Sequence, residues 1–404
     1  MLKSGPRRKR FSVASNVCHT FHKTQFCPPL EGAPEAQKLI STKPSRKSPR
    51  KSRTTQPTIR DVAEAAGVSY GTVSKSLNGT GQLREETRAL VRSTAERLGF
   101  RPNSLAQSLL RRRSFTVGLI STDRYGRFSI PVLEGIEDAL GSASISVFLC
   151  SAADDPERER QHVESLLAKR VDGIIVTARR ADPRPPLHSA RGGPPVLYAF
   201  ARVNDPKAQC LLPDDFGGGK LAGDHLVGVG RMRIAHITGP KDFEAVAHRR
   251  DGLRQAMEQR GLPWRADWVM YGEWSEAWGR EAVARLIASN RQVDAIFCGS
   301  DQIARGAVDA LRDRGIRVPD DIAVVGFDNW EIIAAATRPP LTTVDMNLYE
   351  LGRQAGLRLL DRIEGNDGEG VERLRCTLVV RDSCGSAVAT GGIDAAPRNQ
   401  GAVS

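Results

Sequence analysis

Residues 58–79 read TIRDVAEAAGVSYGTVSKSLNG, and residues 100–113 read FRPNSLAQSLLRRR. In the first stretch the Thr58 hydroxyl is placed to accept an orphan backbone N–H at the start of a helix. Ile59, Val62, Ala63 and Ala66 then recur at helical spacing and make one apolar stripe. Gly67 ends that helix, Val68 turns inward, and Ser69 caps a second helix carrying Tyr70, Val73 and Leu77 until Asn78-Gly79 stops it. Two short helices joined by a glycine-containing turn of this length form a helix-turn-helix. The second helix of that motif enters the DNA major groove with its N-terminal residues at the base edges, here Tyr70, Gly71 and Thr72, with Lys75 one turn later. A third helix, expected from about residue 84 to 98, sends Leu90, Val91, Ala95 and Leu98 to the same small core, and Gly99 closes it. An alanine-rich helix pair also occurs in all-α proteins with no DNA partner. The capping serine and the Tyr70–Thr72–Lys75 face favour the DNA reading.

The charge pattern agrees. The chain of 404 residues carries a formal net charge of +12. Residues 1–57 hold thirteen Lys/Arg against two acids, residues 58–113 hold ten against five, and the rest is acidic by four charges. Positive charge gathered at one end, in front of an acidic body, is the footprint of a chain that docks end-on on nucleic acid. Residues 1–57, with RRKR at 7–10 and KPSRKSPRKSR at 43–53, lack apolar periodicity and are expected to be a disordered basic extension. That extension either adds salt-sensitive phosphate attraction or is idle. It has no apolar core of a secretory signal.

From residue 114 apolar strands alternate with amphipathic helices: TVGLIS (116–121), ISVFLCS (145–151), GIIVT (173–177), PVLYAF (195–200) and QCLLPD (209–214) in a first half. A second half runs through GGKLAGDHLVGVG (218–230), RIAHITG (233–239), AIFCGS (295–300), AVVGFD (323–328) and LVVRDS (378–383). This alternation specifies parallel sheets covered on both faces. The expected architecture is a small all-α helix-turn-helix domain plus a bilobed α/β core of two doubly wound parallel sheets. Its ligand cleft should lie at the carboxyl ends of the strands. The domains expected are 1–57 extension, 58–101 headpiece, 102–113 hinge helix, 114–384 core and 385–404 disordered tail.

The ordered stretch DVAEAAGVSYGTVSKSLNG, then RPNSLAQSLL, resembles the DNA-binding headpiece and hinge helix of LacI/GalR transcription regulators. The core segments DPERERQHVESLLAKRVDGIIV, RIAHITGP, AIFCGSDQIARGA, VPDDIAVVGFDN and LVVRDS resemble the same family's body, itself like periplasmic sugar-binding proteins. The resemblance covers residues 58 to about 384. It implies that Tyr70, Gly71 and Lys75 read bases, and that Thr58, Ser69, Thr72, Ser74, Asn78, Thr87 and Asn103 bond phosphates, which position without specifying. It implies further that residues 102–113 form a hinge helix with Ala106 near the minor-groove floor and Leu109 as an apolar wedge. For the effector it implies Asp301 and Asp328 as acceptors for ligand hydroxyls, Trp274 as a stacking ring, Asp123, Asp214 and Ser300 at strand ends, and Phe128 as a wall. For each Asp the alternative is helix capping.

Four departures stand out. Gly71 occupies a position that usually carries a side chain. Ala247 stands where sugar-responsive members place a ligand-gripping Arg, Ser300 replaces a usual Asn, and DRYGRFS (123–129) departs from D-x-x-N-P-F-F.

The implied function is a sequence-specific, DNA-binding transcriptional repressor. It is expected to be a cytoplasmic homodimer on a pseudo-palindromic operator, controlled by a sugar or related polar metabolite in the cleft. The alternatives are a co-repressor-dependent regulator and a solute-binding protein of the same core fold without DNA regulation. No enzyme motif is complete: FGGGK (216–220) is followed by Leu221, which breaks the phosphate-loop pattern, and no metal-binding cysteine pair occurs among the seven cysteines. No cofactor or metal is expected, and no apolar run is long enough for a membrane helix.

Overall fold

In the computed structural model, residues 57–101, 113–124, 126–187, 192–289 and 292–385 are described below. The N-terminal extension, the hinge positions Asn103, Ala106 and Leu109, and the C-terminal tail lie outside these residues. Internal contacts divide the chain between Phe100 and Arg101 into two units.

In the first unit, α1 (Ile59–Ala66), α2 (Tyr70–Leu77) and α3 (Glu85–Arg97) pack around Val62, Ala63, Val73, Val91 and Ala95. Thr58 closes a capping box: its hydroxyl accepts from the Asp61 amide at 3.4 Å, and the Asp61 carboxylate accepts from the Thr58 amide at 2.7 Å. Gly67, at φ 64°, supplies the left-handed residue that turns α1 into α2. Leu90 departs from its expected inward position and is exposed. The buried stripe of α3 runs through Val91, Thr94 and Ala95, and residue 90 falls about 100° off that face.

The second unit holds two six-stranded sheets. The first is built from β1 (Thr116–Ser121), β2 (Ser146–Ser151), β3 (Gly173–Thr177), β5 (Val196–Ala199), β7 (Gln209–Pro213) and β13 (Gly370–Leu374), in the order β13-β7-β5-β3-β1-β2. All its pairings are parallel. Two short strands, β4 (Pro183–Arg184) and β6 (Arg202–Val203), pair beside it. The second is built from β8 (Ile234–Thr238), β9 (Val269–Tyr271), β10 (Ala295–Cys298), β11 (Ala323–Asp328), β12 (Thr342–Asp345) and β14 (Thr377–Val379). Its order is β14-β12-β11-β10-β8-β9, parallel except for the antiparallel β12–β14 edge. Central strands such as GIIVT and AIFC are buried along their whole length, as a sheet covered on both faces requires.

Helices α4 (Ser129–Gly141), α5 (Pro156–Ala168) and α11 (Leu348–Ile363) cover the first sheet, and a short helix α10 (Glu331–Ala334) follows the end of β11. Helices α6 (Asp215–Gly228), α7 (Glu244–Gln259), α8 (Glu276–Ala288) and α9 (Asp301–Arg312) cover the second. The sequence order of the lobes is therefore not a simple succession of halves. The chain enters the second lobe after β7, returns to the first for α11 and β13, and crosses again to β14. Its three crossovers lie side by side: the Asp214 amide donates to the Leu374 carbonyl at 2.8 Å, and the Asn347 side-chain amide donates to the Arg375 carbonyl at 2.8 Å.

The FGGGK glycines have a packing role. A Cβ on Gly219 would run into the backbone of Arg249, and one on Gly252 into the carbonyl of Phe216. Only glycine lets α6 and α7 approach so closely, and this contact fixes where α7 delivers Arg249. Among the described residues, Cys150, Cys210, Cys298 and Cys376 are free thiols, and no helix is long and apolar enough to cross a membrane.

Candidate functional site

The outer face of α2 is built by its cap. The Ser69 hydroxyl accepts the Thr72 amide at 3.1 Å and pairs with the Thr72 hydroxyl at 2.9 Å, which fixes the first turn. Tyr70 is 56% exposed, and Gly71 and Lys75 are exposed with it, while Val73 behind them is completely buried. A Cβ on Gly71 would meet only the Ser69 hydroxyl at 3.7 Å, so the missing side chain there is not imposed by packing. Ser74 accepts from the Asn78 amide side chain at 3.3 Å, and Thr87 sits half-buried at the start of α3. Thr58, Ser69, Tyr70, Gly71, Thr72 and Lys75 are exposed or half-exposed and so accessible to a partner.

In the core, a cleft of about 390 Å³ opens between the two lobes. The first lobe contributes Asp123, Arg127, Phe128, Arg180 and Phe200 from its strand ends, and the second contributes Asp215, Phe243, Arg249, Trp274, Gln302, Asp328 and Trp330. Of the effector positions expected from sequence, Asp123, Phe128, Trp274, Ser300 and Asp328 line this cleft. Asp123 is partly committed, since its carboxylate accepts from the Phe128 and Ser129 amides at 2.7 and 3.1 Å and holds the start of α4. Ser300 caps α9 by accepting from the Ile303 amide at 3.3 Å.

Two expected positions lie elsewhere. Asp214 caps α6 through the Gly217 amide at 2.9 Å and belongs to the crossover strip; its neighbour Asp215 faces the cleft. Asp301 is wholly buried beneath the cleft floor. Its two oxygens accept from the Thr343 hydroxyl at 2.6 Å and the Trp330 amide at 2.7 Å, which leaves a ligand hydroxyl no access. What it does is hold the turn after β11. There Asp328 and Asn329 adopt positive φ, 109° and 50°, and Asn329 is braced by Asp345 at 2.9 Å and by Arg381 at 2.9 Å. Non-glycine residues in that region persist only when their surroundings over-determine them. Burial, together with the nearby Asp328 carboxylate, pushes the Asp301 carboxyl far above the usual range. Burial also raises Asp328, and the guanidinium groups of Arg127 and Arg249 oppose the rise.

The sequence reading missed the arginines. Ala247 sits on α7 where the family resemblance implies an Arg, but two residues on, Arg249 enters the cleft nearly buried. It donates to Asp215 at 2.8 Å and to the Gly299 carbonyl at 2.6 Å, lies 3.8 Å from Asp328, and stacks 3.6 Å from the Phe327 ring centre. Arg127, in the loop that departs from the common pattern, pairs with Asp328 and donates to Gln302 at 3.0 Å. Its guanidinium lies 4.8 Å from the Phe128 ring and 4.7 Å from that of Trp330. The spacing of α7 from the R-x-x-G at 249–252 would have found Arg249; nothing local announces the reach of Arg127. Among the described residues no cluster of His, Cys, Asp or Glu could hold a metal ion.

Comparison with known proteins accounts for both parts. Residues 58–103 match the model for bacterial regulatory proteins of the lacI family, and residues 223–384 match a periplasmic binding protein-like domain. The transcriptional repressor PurR of Mannheimia succiniciproducens is 32% identical over 330 residues, covering 81% of this chain and 98% of that protein. The transcriptional regulator CelR of Thermobifida fusca is 33% identical over 339 residues, covering 82% and 99%. Among solved structures, a CelR–cellobiose complex superposes with TM-score 0.58 at 31% identity, covering 81% of this chain and 99% of that one. A Lac repressor dimer bound to operator and the anti-inducer ONPF superposes with TM-score 0.63 at 27% identity, covering 82% and 99%. These relatives are transcription regulators rather than enzymes. The chain belongs to the LacI family of bacterial regulatory proteins: it is a DNA-binding transcription regulator under the control of a small-molecule effector.

Proposed function

We propose that the protein is a repressor that binds a pseudo-palindromic operator as a cytoplasmic homodimer and is released by a polar, sugar-like metabolite bound between its lobes. The observation that carries this reading is the cleft, where carboxylate, amide and guanidinium groups meet the rings of Phe128, Phe200, Phe243, Trp274 and Trp330. Hydroxyl-rich rings are held in this way, by polar groups at their edges and aromatic faces on their apolar sides. On the DNA side, Tyr70 and Lys75 reach base edges from α2, and Gly71 leaves a contact unmade. Thr58, Ser69, Thr72, Ser74, Asn78, Thr87 and Asn103 hold phosphates, and Ala106 and Leu109 enter the minor groove from a hinge helix over 102–113. The body 114–384 carries the effector site, with Asp328, Arg249 and Gln302 as its polar contacts and Asp123, Trp274 and Ser300 around them.

Control by an effector requires that it bind the two states of the core with different affinity. Fluorescence anisotropy with DNA from upstream of the protein's own gene, at fixed salt, tests the whole reading. A panel of sugars (cellobiose among them), sugar phosphates and nucleosides is then added. Loss of DNA binding with one compound identifies an inducer; tighter binding identifies a co-repressor and reverses the sign. No sequence preference for any upstream DNA would sink the proposal.

A further inference from the structure

Two adjoining hollows lie between the lobes. Beside the cleft of about 390 Å³ lies a second of about 590 Å³ bounded by Pro131, Glu134, Asn347 and Tyr349. The two share Arg127, Phe128, Asp328, Trp330 and Met346 as a common wall. Arg127 forms the part of that wall that crosses from one lobe to the other. It leaves the first lobe from the loop before α4 and ends on Asp328 and Gln302 of the second lobe, its side chain 13% exposed. The flat guanidinium lies 4.8 and 4.7 Å from two ring centres, Phe128 and Trp330, and against the Asp328 carboxylate. Those are the features of a site for a planar, polar group.

We propose that Arg127 is a built-in occupant of the effector slot: it clasps the lobes together in the absence of effector and must be displaced from Asp328 when effector binds. The consequence for effector rests on the cleft being the effector site; the clasp itself does not. Other contacts already bring the mouth together, so the clasp acts on lobes that are near each other. Arg202 of the first lobe pairs with Glu244 of the second at 2.7 Å, and Asp182 accepts from the Glu244 amide at 2.9 Å. A clasp that leaves the slot vacant a tenth of the time weakens effector binding about tenfold. Arg127 thus sets the effector concentration at which the regulator responds.

The test needs no known effector. In the full-length Arg127→Ala variant the vacated slot should bind methylguanidinium, read as saturable quenching of tryptophan fluorescence at low millimolar concentration against sodium chloride of equal ionic strength. Replacing Trp330 by Phe in that variant should abolish the signal, and adding Asp328→Asn should abolish the binding. The parent protein, with its slot filled, should show no such saturation. A fluorophore pair across the lobes should report a longer distance in Arg127→Ala and recovery on methylguanidinium. If Arg127→Ala fails to fold, Asp328→Asn breaks the same contact from the opposite lobe with a side chain of equal shape, and should lengthen the distance too. An unchanged distance in both variants, or equal quenching in parent and variant, overturns the clasp. Any effector found by the panel should bind Arg127→Ala about tenfold more tightly. Weaker binding would make Arg127 an effector-holding group and overturn displacement, whereas absence of any binder to either protein counts against the effector-site reading alone.

Discussion

Arg249 and Asp215 are exposed to only 5% and 2%, and they form a buried ion pair at 2.7 Å. Replacing Arg249 by Met keeps most of the side-chain volume but removes the contacts to Asp215 and the Gly299 carbonyl. Asp215 then loses the guanidinium it is paired with. Breaking a buried pair from one side costs about 3–5 kcal/mol, because the surviving charge is stranded. In a body of this size each kcal/mol lowers the midpoint by roughly 2–4 °C, so Arg249→Met should melt on the order of 10 °C lower. Urea unfolding followed by tryptophan fluorescence gives the free energy directly. Adding Asp215→Asn removes the stranded charge, and the double variant should be more stable than Arg249→Met alone. That coupling is the sharper measurement. Costs that simply add, or a single-variant loss below about 1 kcal/mol, would mean that the pair does not anchor α7, and the account of how the cleft is built would fail.

Four further outcomes are expected. Ser69→Ala removes the cap of the recognition helix and should destabilise the headpiece by about 1 kcal/mol, with Ser69→Asn restoring it in a thermal melt. Lys75→Ala should relax operator preference, worth about 1–3 kcal/mol for a good base contact, measured by competition between operator and scrambled DNA; undiminished discrimination would remove Lys75 from the base-reading set. Gly219→Val drives a side chain into the Arg249 backbone and should cost about 1–3 kcal/mol, while Gly228→Val, on the same helix with nothing near it, should not. Asp301 binds its proton more tightly folded than unfolded, so its contribution to stability falls as pH rises from the ordinary carboxylate range through its raised value. Asp301→Asn keeps the shape without the charge, and its stability relative to the parent should therefore grow with pH in chemical denaturation from pH 5 to 8; a constant difference would refute the assignment.

The headpiece was legible because its determinants are local. Thr58, Gly67 and Ser69 sit at helix ends, and Val62, Ala63, Val73 and Val91 mark their period in the sequence itself. Apolar strands announced themselves for the same reason. Strand β13, GVERL, did not: it is an edge strand whose residues are mostly exposed, so it has no apolar run to notice. The site was half legible. Asp328 and Trp274 could be placed by resemblance, yet whether a carboxylate at a strand end faces solvent, ligand or protein depends on what folds over it. Asp301 is sealed by Thr343 and the Trp330 amide, residues 42 and 29 positions away. Arg127 meets Asp328 across 201 positions of sequence, and no periodicity encodes such a meeting.

The same long-range logic assigns Asp214 a different role from its neighbour. One residue apart at the start of α6, Asp214 caps the helix and lends its amide to the β13 crossover, while Asp215 turns into the cleft and holds Arg249. Around Asp214 the other two crossovers are tied in: Cys376 donates to its carbonyl at 3.4 Å, and Asn347, at φ 52°, bonds Arg375 and Thr377. The three crossovers are thereby linked sideways by hydrogen bonds. A ligand that draws Asp328 and Arg249 towards the first lobe acts on that single strip through Asp215 and α6. The cleft and the crossovers between the lobes are thus joined within two residues, Asp214 and Asp215, so what occupies the space beside Arg127 lies a short path from the segments that connect the lobes.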